Sequence, residues 1–373
     1  MRFKLHSYRS FIEISAANLV HNFRQIASRL HKDTILAPVV KANAYGHGLN
    51  LVVEALKSQT DWFCVDSALE AFEVLSIAPE ANVLVMGMLM PTEMTALPES
   101  VRLGVYSLEA LEVLAKRGYP ARIHLKLETG LNRLGIQPQD LNQILQYIKN
   151  HPSLILEGVY THYANVEDTL DSTMLEKQNQ SFETMLSQTG SIELVHTCAS
   201  AAAILHPDKT RQIARIGISL YGYTSSWQTQ LSLRERGISL SLRPAIGFYT
   251  RIAQIKTVKA GDTVGYGCTH RFLRPGQIAV LPVGYYDGMD RGLSSSAEVI
   301  IAGKRAPIVG RIAMNMCMAE VTHIPHLKPL DRVILLGGEG QEMVSADEWA
   351  SKCLTINYEI LSRLPTHIPR FMM

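Results

Sequence analysis

ILAPVVKANAYGHG, residues 35–48, is an apolar run that stops at Lys41 and continues into a loop of small residues without G-x-G-x-x-G spacing. An open, doubly wound sheet built for a dinucleotide carries that glycine fingerprint after its first strand. Without it, the run reads better as the first strand of a closed barrel. Outward from it, strand-like runs recur at 62–67, 82–89, 101–107, 122–129, 154–164, 194–200 and 212–222. Helical patterns lie between them at 49–57, 68–77, 108–117, 141–149 and 173–187, where spacings such as Leu111, Leu114 and Ala115 mark one helix face. A helix is also predicted over 15–30, with Ser15 as its N-cap. Strands that alternate with helices run parallel, and eight such units close a (β/α)8 TIM barrel.

Beyond about Glu235 the texture changes. Short runs at 245–258, 277–283, 297–301, 308–314, 316–321 and 332–336 are broken by Gly and Pro, and helical periodicity returns only at 345–352. This predicts a second, mainly β domain. The expected division is a barrel over 10–235 and a β domain over 236–373, the break falling between Trp227 and Arg243. Residues 1–9 could add to the β domain, and the strand-like piece 10–14 could join either. A length of 373 residues suits two domains.

Charge and cysteine usage narrow the function classes. With 36 Lys and Arg against 34 Asp and Glu, the chain carries no electrostatic footprint for nucleic acid or an anionic membrane. The 5 cysteines are scattered and form no C-x-x-C pair, so reduced thiols are expected, with no disulfide framework and no metal site. No apolar run is long enough to span a bilayer, and the N-terminus lacks a signal-peptide core. A cytoplasmic protein with a small or zwitterionic substrate is expected.

Barrel active sites lie at the carboxyl ends of the strands. Here the first strand ends at Lys41, and the fifth leads to Glu128 and Arg133. The sixth ends at His162 and the seventh at Ser200, while the eighth carries Arg215 and Gly217. An ammonium at the end of an apolar strand is costly unless its pKa falls or it bonds covalently, for example to an aldehyde cofactor. A snorkelling lysine is the alternative. Lys126 and Glu128 lie two apart on one strand face, and with Arg133 they read as a compensated ion network that could position Arg133. Ser200 precedes a helix start at AAAIL and Gly217 permits close backbone approach, a pairing suited to a phosphate. LLGGEG (335–340) reads as a β-turn.

Taken together, VVKANAYGHG, LKLETGLNRLGI, THYAN, RIGISLYG, VGYGCTH, LPVGYYDGMDRG, VGRIAMNMCM and TINYEIL resemble the alanine racemase family. They fall in the family's order and span both predicted domains. The resemblance implies a pyridoxal 5′-phosphate (PLP) enzyme that racemises alanine and supplies D-alanine for peptidoglycan. It implies a head-to-tail homodimer with shared active sites. Lys41 would carry the cofactor. Tyr45, His162, Ser200, Gly217, Ile218 and Tyr358 would help bind it, and Arg215 would face the pyridine nitrogen. Arg133 would contact the substrate carboxylate. From the other subunit, Tyr266 would act as the second base, Met314 would bind the carboxylate and Tyr285 would line the substrate entrance. Lys126 matches a position that is carbamylated in some relatives. Because a phenol ionises only near ~10 in water, Tyr266 would need help, which His162 could relay from Arg215.

Five positions depart from the family pattern. Ala199 replaces an Asn, Ile216 a Pro, Asn315 an Asp, Glu128 an Asp, and Tyr286 a small residue. None removes a proton-transfer group, but Asn315 and Tyr286 leave a serine or broad-range racemase open. A related barrel decarboxylase would need an acidic pyridine partner and a catalytic cysteine; Cys317 is the nearest candidate. A non-catalytic PLP-carrying barrel would lack the domain that holds Tyr266.

Overall fold

The computed structural model describes residues 7–373. Its chain forms two compact units. One comprises 17–45 and 52–243; the other comprises residues 7–16, 46–51 and 244–373.

In the first unit, β1 (Phe11–Ile14) belongs elsewhere, and the barrel begins with β2 (Ile35–Pro38). There follow β3 (Trp62–Val65), β4 (Asn82–Val85), β5 (Val101–Val105), β6 (Ala121–Lys126), β7 (Leu154–Tyr160), β8 (Leu194–His196) and β9 (Ile213–Ile216). β3 to β8 form one parallel sheet in sequence order. The last strand returns to the first: β9 pairs in parallel with β2, Ile35 opposite Ile213. A bridge from Val39 to Cys64 joins β2 to β3, and the Arg215 N–H donates to the Cys198 carbonyl at the β8–β9 seam. The sheet thus curls into a closed (β/α)8 barrel. Its interior holds Ala37, Val39, Trp62, Cys64, Leu84, Leu194 and Ile213.

The intervening helices follow the apolar periodicity. Ala68–Ile77 and Leu108–Ala115 are opened by Ser67 and Ser107, whose hydroxyls accept from N3 backbone N–H groups. Leu141–Lys149 buries Leu141, Ile144 and Ile148 along one face.

One element was not legible in the sequence. After Val40 the strand gives way to a left-handed turn: Ala42, Asn43, Ala44 and Tyr45 all have φ between 52 and 54°. Each non-glycine residue there costs roughly 1–2 kcal/mol, so the surroundings must hold the turn. Glu70 does part of this. Its carboxylate accepts the Ala42 N–H at 2.7 Å and the Asp66 N–H at 2.8 Å.

In the second unit, β1 pairs with β10 (Ile246–Arg251), so the strand-like piece near the N-terminus lies in this unit's sheet. The further strands are β11 (Gln254–Val258), β12 (Thr263–Val264), β13 (His270–Arg271), β14 (Gly276–Leu281), β15 (Glu298–Ile301), β16 (Lys304–Pro307), β17 (Cys317–Glu320), β18 (Arg332–Glu339), β19 (Glu342–Val344) and β20 (Arg370–Met372). The main sheet runs β16-β15-β18-β10-β1-β20, with β19 on β18; β11-β14-β17 form a second. Ser345 caps the helix Ala346–Cys353, and the short helix Asn357–Ser362 follows.

Candidate active site

The expected site residues divide between the units. Lys41, Tyr45, Lys126, Arg133, His162, Ser200, Arg215, Gly217 and Ile218 lie in the barrel unit. Tyr266, Tyr285, Met314 and Tyr358 lie in the other.

At the barrel rim, Lys41 pairs with Asp66, Nζ to Oδ1 3.2 Å, and its side chain is 39% exposed. The burial cost that pointed to this residue in the sequence is therefore not incurred here: the ammonium is partly exposed and paired with a partly exposed carboxylate. Lys126 is the more buried lysine. Burial, with the charges of Arg133 and Arg215, pulls its ammonium down to about 8. His162 is pushed down to about 3 by burial and by Arg215, Arg133, Lys126 and Lys41, so its ring is neutral at physiological pH. Four cations thus gather on one rim, which suits an anionic ligand.

Glu128 does not build the direct ion network expected with Lys126. Oε1 accepts the N–H groups of Gly130 (2.6 Å) and Asn132 (3.0 Å), and Oε2 accepts that of Arg133 (3.4 Å). Burial alone would raise the carboxyl, but these backbone donors hold it below its ordinary range. The loop that presents Arg133 is therefore shaped by Glu128.

A cradle for a dianion forms between β8 and β9. Ser200 opens a helix and its hydroxyl accepts the N–H of Gly217 (3.0 Å) and Ser219 (3.5 Å). Ser219 Oγ is buried with no hydrogen-bond partner. Tyr45 closes one side, its ring stacked 5.0 Å from Tyr221. An orphaned buried hydroxyl beside backbone N–H groups fits a phosphate. Ile218 begins the 3-10 turn that carries these groups.

Arg215 is buried in the barrel interior. Its Nη1 donates to His196 Nδ1 at 2.6 Å, and its Nη2 donates to the carbonyls of Thr161 (2.8 Å) and Thr197 (3.1 Å). Its partner is His196 rather than His162. His196 stacks on Tyr160 at 4.7 Å and bonds to His124. Sequence reasoning passed over both histidines. The period-2 rule could have found His196, two residues beyond the inward-facing Leu194.

In the second unit, Tyr266 sits on the turn between β12 and β13, 73% exposed. The Tyr285 and Met314 segments are clasped together: Tyr285 N–H donates to Ala313 O (3.1 Å) and Tyr286 N–H to Met314 O (3.0 Å). Buried Asp287 supports the clasp by accepting from Gly284 N–H and Asn315 Nδ2. A cavity of about 690 Å³ is lined here by Tyr285, Tyr286, Arg291, Met314 and Arg363. Tyr358 lies on the helix Asn357–Ser362. Cys317 is buried and its thiol is pushed well up by burial, which does not suit a catalytic thiolate.

Residues 14–225 match the family model for the alanine racemase N-terminal domain, and 245–372 that for its C-terminal domain. The chain is 37% identical to the alanine racemase of Leptospira interrogans, covering 98% of this chain and 96% of that one. It is 36% identical to the alanine racemase of Syntrophobacter fumaroxidans, covering 94% of each. Among solved structures, alanine racemase from Bacillus anthracis with bound L-Ala-P is similar at TM-score 0.91 and 30% identity, covering 100% of this chain and 96% of that one. Barrel, rim and likeness define an enzyme of the amino-acid racemase class. More particularly, the chain belongs to the alanine racemase family.

Proposed function

We propose that the chain interconverts L- and D-alanine with pyridoxal 5′-phosphate joined to Lys41, supplying D-alanine for peptidoglycan in the cytoplasm. The observation that carries the cofactor assignment is the cradle of Ser200, Gly217 and the unpartnered Ser219 hydroxyl, set on the same rim as Lys41. Tyr45 and Ile218 complete the phosphate surroundings within the barrel unit, and the family resemblance assigns Tyr358 to the same role. When bound, the cofactor supplies an electron-accepting ring that acidifies the α-hydrogen of the amino acid joined to it.

Arg133 orients the substrate carboxylate, its loop fixed by Glu128. Lys41 moves the proton on one face. Tyr266, with Tyr285 and the Met314 backbone, comes from a second copy of this chain and moves the proton on the other. His162, neutral, can donate or accept a hydrogen bond without adding charge to a cationic rim. Arg215 keeps its proton at ordinary pH, so facing a pyridine nitrogen it would donate a hydrogen bond and would not protonate it. The ring would then be a weaker electron sink, which would disfavour side reactions. A carbamate on Lys126 would place an anion between Arg133 and Arg215.

A second reading, a serine or broad-range racemase, rests on the place of two departures from the family pattern. Asn315 bonds to Asp287, and Tyr286 stacks on His367 at 4.6 Å, so both departures from the family pattern are built into the Met314 clasp. Chiral analysis after incubation with individual L-amino acids tests both readings. D-Alanine as main product supports the first, equal or greater turnover of serine supports the second, and no D-product from any amino acid overturns both. Lys41→Ala should abolish the visible absorbance gained with pyridoxal phosphate. Tyr266→Phe should keep it and impair α-proton exchange in one direction. Among the described residues no helix is long and apolar enough to cross a membrane.

A further inference from the structure

The polar chain that begins at Arg215 does not end at His196. His196 Nε2 lies 2.8 Å from His124 Nδ1, and His124 Nε2 lies 3.1 Å from Glu157 Oε2. Glu157 is clamped by Arg102, through Nε at 2.9 Å and Nη2 at 3.2 Å, and by Arg122 Nη1 at 3.2 Å. His124, His196 and Arg215 are buried, and Glu157 is 7% exposed. Four consecutive groups therefore run through the barrel interior, linked by three hydrogen bonds.

The direction of every bond is determined by its two ends. A guanidinium can only donate, so His196 Nδ1 must offer a lone pair. An ionised carboxylate can only accept, so His124 Nε2 must carry a hydrogen. The bond between the rings then has one solution with both neutral: His196 Nε2–H donates to the lone pair of His124 Nδ1. Burial favours this neutral state of both rings, and hydrogen bonds from His124 and Arg102 outweigh burial to keep Glu157 ionised. A buried carboxylate with two arginine partners is costly to maintain. Its use here is that it orders the donors in a single direction.

We infer that Glu157 and His124 are positioning residues for the racemase reaction: through the fixed order Arg215→His196→His124→Glu157 they hold His196 as the tautomer that accepts from Arg215. With Glu157 replaced by Gln, the amide can present either an acceptor or a donor to His124. The tautomer of His124, and then of His196, is no longer imposed. A His196 that turned its N–H toward Arg215 would displace the guanidinium from its present place between His196 and the carbonyls of Thr161 and Thr197. The inference rests on the role proposed for Arg215 at the pyridine nitrogen, but its structural half does not.

The test has two parts. In 15N-histidine-labelled wild-type protein, long-range proton–nitrogen spectra, assigned with His124→Gln and His196→Gln, should show each ring protonated on Nε2 alone. A doubly protonated ring, or an Nδ1–H tautomer at either position, overturns the ordering. In the cofactor-loaded protein, Glu157→Gln should displace the visible absorption band and lower kcat roughly tenfold while KM stays near the wild-type value, the scale expected of an outer-shell support. An unchanged band with unchanged kcat overturns the positioning role. Were wild-type protein to gain no visible band, the cofactor assignment would fail while the nitrogen spectra still decided the ordering.

Discussion

The Tyr45 hydroxyl lies against the bare α-carbon of Gly217: a β-carbon at that position would come within 2.5 Å of the oxygen and 3.1 Å of Cζ. Tyr45 cannot easily retreat, because its ring stacks on Tyr221, whose own hydroxyl is bonded to the Val39 carbonyl at 2.8 Å. Gly217→Ala should therefore displace Tyr45 from the cradle. The overpacking cost of about 1–3 kcal/mol corresponds to a ~5- to 150-fold loss of cofactor affinity, measurable by titrating the apoprotein with pyridoxal phosphate. Wild-type affinity in the variant would show that the cradle is not the phosphate site.

The left-handed turn after Val40 gives a second prediction. Glu70 bonds the Ala42 N–H and the Asp66 N–H, and Asp66 holds Lys41. A glutamine keeps one accepting oxygen and loses the other. Glu70→Gln should destabilise the protein by about 1–2 kcal/mol, the worth of one charge-assisted hydrogen bond at a partly exposed site, and should slow cofactor attachment at Lys41. Denaturant titration and the rate of absorbance gain check the two effects. A normal attachment rate in a destabilised variant would confine Glu70 to a stability role.

These examples show how far the sequence could be read. Alternation of apolar runs with helical periodicity was enough for the barrel, because burial on one face dictates that pattern locally. The rim residues Lys41, Arg133, Ser200 and Arg215 were visible because a strand's end is visible. Contacts between distant strands left no local trace. Nothing near Arg215 in the chain announces His124, and nothing in KANAY announces a left-handed turn, since only Asn among its residues favours that conformation. The Lys126–Glu128 pair was read from shared facing alone, whereas the carboxylate beyond the strand end turned to nearby backbone donors.

Lys126 carries a pH signature. Its folded pKa is lowered from 10.5 to about 8, so the unfolded chain binds more protons between those values. The cost of holding the ammonium is present in full below pH 8 and is relieved as pH rises from about 8 toward 10.5. Lys126→Met, which keeps the stem volume, should be more stable than wild type at neutral pH, with the gap closing as pH climbs through that window. Chemical denaturation at several pH values measures it. A gap that widens with pH contradicts the sign. Added bicarbonate should stabilise wild type and not the variant if the amine forms a carbamate.

The Met314 clasp offers the last prediction. Asp287 Oδ2 accepts from Gly284 N–H at 3.1 Å and from Asn315 Nδ2 at 3.2 Å, while Oδ1 faces Arg9 and His367, each at 3.5 Å. Asn315→Asp restores the residue usual in the family, but here it replaces a donor by an acceptor beside a buried carboxylate. Two carboxylates that close share a proton, and one folded-state pKa rises above its unfolded value of about 4. A raised pKa contributes stability below the unfolded value and loses it as pH climbs through the folded one. The variant should therefore melt close to wild type near pH ~4 and fall progressively below it toward pH ~7. Its KM for the amino acid should rise over the same range, as the Met314 backbone loosens from Tyr286. Thermal midpoints and KM measured together decide the matter: a deficit that is constant with pH would mean that Asp287 and residue 315 do not share a proton, and that Arg9 or His367 neutralises the pair.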